Sequence, residues 1–383
     1  MTITNDIKYI GVNDHQVDLF EGQYVVPNGM AYNSYAIVDD KIAIMDTVDQ
    51  HFTHEWLDNI QKTLGDRKPD FLIVQHMEPD HSGSLADFML AYPGAVIVAS
   101  AKAFSIMRAF SGSEYAERRR IVVEGDTLNL GRHALTFISA PMIHWPEVMM
   151  TYDAASKTFF SADAFGRFGA LGEKDDWVCQ ARRYYFGIVG KYGAQVQALL
   201  KKIAALDIQR ICSLHGPVLD SDLDSCLKLY DTWSSYGVES EGVMIACASI
   251  YGNTQQAAQL LRDKLLENGC PKVVLHDLAR CDMFRAVEDA FRYGRIVFAS
   301  STYNADVFPA MKTFIHHLTE RNFQNRTVAL MENGSWATAA ARVMRGMLEG
   351  CKNLTFAENS VKIASALSDE SRAQIDALAR ELC

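Results

Sequence analysis

The chain has 383 residues, 49% of them hydrophobic and 22% charged, with a formal net charge of −10. That is long for one core and ordinary in composition, which points to a globular protein of two or three domains and excludes disordered and fibrous classes. The negative balance excludes nucleic acid as the main partner, because phosphate binding needs clustered Lys and Arg; the run Arg118 to Arg120 reads as a solvated face.

No stretch reaches the ~18 uninterrupted apolar residues of a membrane span. The start, MTITNDIKYIGVNDHQ, has no basic-then-apolar signal pattern, so a cytoplasmic location is expected. Eight cysteines are scattered along the chain without a C-x-x-C pair and read as reduced thiols. Any metal must then be held by His and carboxylates.

Up to about residue 165, short β-like runs dominate: QYVVPNGMAYNSYAIVDDKIAIMDTVD, FLIVQH, AVIVAS, RIVVEGDTLNLGRHALTFISA and TFFSADAF. Helical stretches intervene at FTHEWLDNIQKTLGD and GSLADFMLAYP. Hairpin strands mixed with helices predict a layered α+β domain, with two sheets or one sheet flanked by helices. In FLIVQHMEPDHSGSL, four ligand-type side chains, His76, Glu78, Asp80 and His81, crowd a strand end. Pro79 is expected to prevent a regular helix there, so that His76, Glu78 and Asp80 leave an extended strand with period-two geometry. Asp80 and Ser82 could instead cap a helix starting near Gly83, but capping explains one acid and not two histidines plus Glu78.

Further donors follow other strands: His144 after ALTFISA, Asp163 at the end of TFFSADAF, and His215 after IQRICSLHGP. Each alone also fits an ordinary core or surface residue. Histidines 15, 51, 54, 133, 276, 316 and 317 lack such placement and are expected on the solvent or helix surface.

From about residue 242 the rhythm becomes strand–helix alternation: GVMIACAS, NTQQAAQLLRDKLLENG, PKVVLHDL, DMFRAVEDAFRYG, RIVFASSTYN, FPAMKTFIHHLTE, RTVALMENGS, ATAAARVMRGMLEGC, TFAENSVKIAS and SDESRAQIDALARELC. Five strands alternating with five helices predict a doubly wound parallel sheet, reached through the linker DTWSSYGVESEG. The expected domains are residues 1–238 and 239–383. The first strand runs into Ser249, Gly252, Asn253 and Thr254 and then a helix, which suits a phosphate on backbone N–H groups or an ordinary helix cap. Two later strand ends, SSTYN and NGSWA, set an aromatic among small residues at the carboxyl edge, where doubly wound folds bind ligands. No G-x-G-x-x-G fingerprint supports NAD binding.

His-x-Glu-x-Asp-His, then His144, Asp163 and a His in SLHGP, resembles the diiron site of the flavodiiron proteins, or A-type flavoproteins. Flanking words such as EPDHSGSL, IHWPE, SADAFG and ARRYYFGIVGKYG extend the likeness over nearly the whole chain.

The resemblance implies a metallo-β-lactamase-like αββα domain followed by a flavodoxin-like five-stranded domain. His76, Glu78 and His144 would bind one iron, Asp80, His81 and His215 the other, and Asp163 would bridge. Hydrolytic zinc relatives carry His where Glu78 stands, and mixed imidazole and carboxylate ligation suits iron; the rival is a dizinc hydrolase fused to a flavodoxin module.

FMN would lie among Ser249, Ile250, Tyr251, Gly252, Asn253, Thr254, Ser301, Thr302, Tyr303, Asn304, Asn333, Gly334, Ser335, Trp336 and Ala337, with Tyr303 or Trp336 stacking on its ring. Tyr184 and Tyr185 are expected either near the substrate as proton donors or in the core. The family reduces O2 to water or NO to N2O with electrons from rubredoxin or a similar carrier, in head-to-tail homodimers or dimers of dimers. Two departures stand out: Ser301 replaces a frequent Pro, and the Asp163–His215 interval is short.

Overall fold

A computed structural model describes residues 2–173 and 176–383. Two compact units divide the chain, one ending at Asp231 and the other spanning Thr232–Cys383.

The first unit holds two sheets. In one, β1 (Ile7–Tyr9), β2 (Tyr35–Val38), β3 (Ile42–Met45), β4 (Phe71–Ile73), β5 (Val96–Ala99) and β6 (Arg119–Ile121) lie side by side in chain order. β1, β2 and β3 pair antiparallel, and β3 through β6 run parallel. The other sheet orders β7 (Thr127–Asn129), β8 (Ala134–Ser139), β9 (Met149–Asp153), β10 (Thr158–Phe160) and β11 (Arg210–Cys212), antiparallel except for the parallel pair β10–β11.

Period-two side chains from both sheets fill the layer between them: Tyr35, Ile37, Ala43, Met45, Ile73 and Val98 meet Leu135, Phe137, Met149, Phe160 and Cys212. Helices α1 (Thr53–Leu64), α2 (Pro79–Ser82), α3 (Leu85–Ala91), α4 (Ala101–Ser111), α5 (Trp177–Tyr184) and α6 (Gly193–Ile203) complete the αββα sandwich expected. Two short ribbons, Val12–Asp14 with Met30–Tyr32 and Leu19–Phe20 with Tyr24–Val25, flank it. α7 (Leu223–Ser234) carries the division between units, so the linker is shorter than DTWSSYGVESEG suggests.

The second unit is a parallel sheet ordered β13 (Val273–Asp277), β12 (Ser240–Ala248), β14 (Tyr293–Tyr303) and β15 (Thr327–Asn333), with β16 (Thr355–Phe356) and β17 (Val361–Ile363) at the edge beside β15. The expected fifth strand is thus in two pieces. The cause is local: Glu381 accepts the backbone N–H groups of Glu358 and Asn359 and takes them out of the ladder. α8 (Asn253–Glu267), α9 (Met283–Arg292), α10 (Pro309–Glu320), α11 (Ala340–Leu348) and α12 (Asp369–Leu382) supply the alternation. Among the described residues no helix is long and apolar enough to cross a membrane.

Candidate metal centre and ligand cleft

Sheet direction brings the donors together. β8 is antiparallel to β9, and β9 to β10, while β10 and β11 are parallel. The carboxyl ends of β8, β10 and β11 therefore share one edge, where His144, Asp163 and His215 follow. β4 delivers His76 and its neighbours from the other sheet.

Pro79 starts a helix here, contrary to the expectation that it would prevent one. Glu78 is extended (φ −61°, ψ 140°), and Pro79 occupies the first turn of α2, where its missing N–H costs nothing. Period two therefore ends at Glu78, and Asp80 and His81 ride the helical turn. Neither Asp80 nor Ser82 caps the next helix: Ser84 precedes α3, with no side-chain cap bond.

Two groups of donors result: His76, Glu78, His144 and Asp163, and beside them Asp80, His81 and His215. In the first, His144 Nε2 lies 3.0 Å from Glu78 Oε2 and 3.1 Å from Asp163 Oδ2, and His76 Nε2 lies 3.3 Å from His144 Nε2. In the second, His81 Nε2 and His215 Nε2 are 3.0 Å apart, and Asp80 Oδ2 stands 3.2 and 3.3 Å from them. Asp163 serves both groups, its Oδ1 lying 3.1 Å from His81 Nε2.

The arrangement fits metal ions. Donors spaced like those of the first group surround a point about 2 Å from each, the length of a first-row metal–ligand bond. Among the described residues Asp80 Oδ1 and Oδ2 and Asp163 Oδ1 are buried and make no hydrogen bond, a costly state that a bound cation relieves.

Partners behind the ring fix the tautomers. His76 Nδ1 meets Glu147 Oε1 at 2.9 Å, and His215 Nδ1 meets the Ala31 carbonyl at 2.8 Å, so each Nε2 is the nitrogen left for the centre. Asp46 accepts from the backbone N–H groups of Gln75 and His76 and holds the β4 end in place. Glu147 and Asp46 are not among the donors expected from sequence, although Glu147 stands in IHWPE; the signal available there is a carboxylate three residues beyond a candidate ligand.

Without metal the cluster is loaded with protons. Burial works against charge on His144, but the bonds to Asp163 and Glu78 prevail and push it up to about 9. Burial likewise opposes charge on Glu78, and His144 and His76 pull it down to about 2. Asp163, fully buried, is held well below the carboxylate range by His81, His76 and His144 despite that burial.

Tyr184 and Tyr185 differ in placement. Tyr184, fully buried, has its ring 5.5 Å from that of His215, and among the described residues its hydroxyl finds no hydrogen-bond partner. Tyr185 packs 5.1 Å from both Tyr230 and Phe186. A π-helical turn, Tyr185–Val189, separates their directions.

His133 is not a surface residue as expected. It is 3% exposed, 2.7 Å from Asp153 and 3.3 Å from Asp6. His276 and His317 are half-buried, against the same expectation, and His276 pairs with Asp289 at 2.8 Å.

In the second unit a cavity of about 530 Å³ opens at the carboxyl ends of β12, β14 and β15. Its lining takes in every residue expected around FMN except Gly252, and adds Ala305 and Ser365. Gly252 precedes α8 with φ +91°, a conformation that glycine adopts freely. Thr302 Oγ1 accepts from Ala339 and Ala340 N–H, and Asn333 exchanges two hydrogen bonds with the Ser365 backbone. Ser365 escaped the sequence reading because it lies 32 residues from Asn333, beyond the last strand. Tyr251 and Trp336 are 93% and 83% exposed at the rim, and a volume of this size suits a cofactor.

A two-centre donor cluster at the edge of an αββα sandwich, joined to a flavodoxin-like sheet with a ligand cleft at its switch point, defines a metallo-β-lactamase-like protein fused to a flavodoxin-like module. The model of the ODP family of β-lactamase-like domains matches residues 30–216. A nitric oxide reductase of Moorella thermoacetica is 28% identical over 94% of this chain and 92% of its own. The flavodiiron protein of Giardia intestinalis superposes with a TM-score of 0.92 at 25% identity, covering 99% of this chain and 95% of that one. Rubredoxin oxygen:oxidoreductase of Desulfovibrio gigas gives 0.92 at 24% identity, covering 100% and 97%. Along nearly its whole length the chain is thus similar to proteins named nitric oxide reductase, flavodiiron protein and rubredoxin oxygen:oxidoreductase.

Proposed function

We propose that this protein is an oxidoreductase that reduces O2 to water, NO to N2O, or both, at a diiron site fed by FMN. The observation that carries the reading is the pair of donor groups sharing Asp163, in a chain that also carries a flavin-sized cleft. The relatives' names, nitric oxide reductase and rubredoxin oxygen:oxidoreductase, support the two substrates and a rubredoxin-type electron donor.

Residues 1–238 form the metal domain and residues 239–383 the FMN domain. His76, Glu78 and His144 would hold one iron and Asp80, His81 and His215 the other, with Asp163 available to both. When bound, the pair of ferrous ions would supply two electrons and reduced FMN another two, which matches the four needed for O2. Glu147 keeps His76 oriented, and His76, His81, Asp163 and His215 are buried while Glu78 and His144 are partly open. Tyr184 holds a proton at its Oη beside His215, since burial and then the carboxylates of Asp163, Asp80 and Glu78 keep its phenol neutral. Tyr185 stabilises that helix against Tyr230.

Ser249, Ile250, Tyr251, Gly252, Asn253 and Thr254 would hold the phosphate of FMN. Ser301, Thr302, Tyr303, Asn304, Asn333, Gly334, Ser335, Trp336 and Ala337 would hold its ring, with Tyr303 or Trp336 available to stack on it. The protein works in the cytoplasm as a head-to-tail homodimer or dimer of dimers.

The test measures metal and flavin content, then reduces the flavin without oxygen and adds O2 or NO. Iron near two per chain and rapid flavin reoxidation that His144→Ala abolishes are expected. Zinc without iron, or reoxidation unchanged in the variant, would overturn the reading in favour of a dizinc hydrolase fused to a flavodoxin module.

A further inference from the structure

Two cysteines far apart in sequence meet at one backbone carbonyl. α8 ends in a tight turn in which Cys270 N–H donates to Leu265 O at 3.0 Å. The thiol of Cys383, arriving from the end of α12, donates to the same oxygen at 3.4 Å. The shared carbonyl sets the Cys383 thiol beside Cys270, whose own thiol donates to Lys272 O at 3.4 Å in the same turn. Leu261, Leu265, Cys270, Ile375, Leu378, Ala379 and Leu382 belong to one buried cluster, so packing of α12 on the sheet fixes this approach. Cys270 is 6% exposed and Cys383 is exposed, so one sulfur is open to a reagent and the other waits behind it.

We propose that Cys270 and Cys383 form a reversible disulfide that staples α12 to the end of α8 when the protein meets a hydroperoxide. The Cys383 thiolate attacks the peroxide oxygen, forming a sulfenic acid and releasing the alcohol. Cys270 sulfur then displaces the sulfenic oxygen as water and the S–S bond forms. In sum, two thiols and one hydroperoxide give a disulfide, an alcohol and water, with two electrons passing from sulfur to oxygen. A dithiol reverses it by exchange.

Both cysteines are thiols in the resting structure. Burial, followed by the neighbouring Cys270 thiol, raises Cys383 above the ordinary thiol range. Few molecules carry the thiolate at neutral pH, so the bond forms slowly and responds to sustained oxidant rather than to brief pulses. Once formed, it closes a loop from residue 270 to residue 383 that contains β13 to β17, and constraining so long a loop disfavours the unfolded chain.

The experiment treats the full-length, cofactor-loaded protein with tert-butyl hydroperoxide at mildly alkaline pH, alkylates free thiols and maps peptides without reduction. Expected are a linked Cys270–Cys383 peptide lighter by two hydrogens, its absence in Cys383→Ser, and a thermal midpoint roughly 5–10 °C higher that a dithiol reverses. Because position 383 is exposed, the Cys383→Ser chain folds, and its midpoint is expected not to respond to peroxide. Three results would each overturn the proposal: Cys270 alkylated in full after oxidation, Cys383 found as sulfinic acid, or Cys383 linked to a second copy of the chain.

Discussion

His133 illustrates how far a single residue can depart from what its neighbours in sequence imply. In LGRHALT it looks like a hairpin residue, yet it sits between Asp153 and Asp6, and its backbone N–H donates to Asp39 at 2.7 Å. Burial alone would lower its pKa; Asp153, Asp6 and Asp39 outweigh burial and raise it. A histidine raised in the folded state stabilises fully below its unfolded value, near ~6.5, and the contribution disappears as pH rises through the folded value. Asp6 is lowered, chiefly by His133, so on the acid side the same pair loses its contribution as pH falls through the depressed Asp6 value. Urea midpoints of the metal-loaded chain and of His133→Gln should therefore differ most at mildly acidic pH and converge as pH rises through the raised folded value of His133. A constant difference across that range would mean that His133 is neutral in the fold. Glu147 belongs to the same scale, because one carboxylate oxygen both orients His76 and accepts the Met77 N–H.

At the scale of elements, the four-residue helix α2 decides which donors serve which centre. An extended strand end would have sent His76, Glu78 and Asp80 the same way; the helical turn beginning at Pro79 swings Asp80 and His81 toward His215 instead. Gly83 makes that turn possible. A Cβ there would stand 2.6 Å from Pro79 O and 2.7 Å from Gln50 N, both backbone atoms. Gly83→Ala must therefore displace α2. The expected result is a chain that folds but binds the second metal about 10–100-fold more weakly, the range seen when a ligand's support is lost, while the site of His76, Glu78 and His144 keeps more of its affinity. Chelator competition with two resolved binding steps would measure it, and two unchanged steps would show that α2 shifts at no cost to its donors.

For the molecule as a whole, two ligand sites on two compact units make stability a matter of linkage. Removing metal leaves buried oxygens of Asp80 and Asp163 with no hydrogen bond among the described residues and restores protons to His76 and His144, both raised. Metal loading should consequently release protons, and its apparent affinity should rise with pH toward about 9. Calorimetry in buffers of different ionisation enthalpy would count those protons. In scanning calorimetry, chelation should lower the transition of the unit ending at Asp231 and leave that of Thr232–Cys383 in place; a single transition moving as one would show the units unfolding together.

Much was legible without coordinates. A layered α+β domain and a doubly wound sheet followed from strand–helix rhythm, since period two and alternation are local properties; the αββα order came from the resemblance of motifs, and the seven donor candidates from residue type at strand ends. What the sequence by itself determined was therefore the inventory: which side chains could bind, on which kind of element, in what order. Only the tertiary structure decided the grouping. That Asp163 faces both clusters, that Glu147 stands behind His76, that Ser365 closes on Asn333 and that Tyr184 rather than Tyr185 approaches His215 all depend on strand direction and helix turn. Those are long-range matters, because contacts between residues separated by tens of positions are set by which strands pair and which way they run, and no local period in the chain records that.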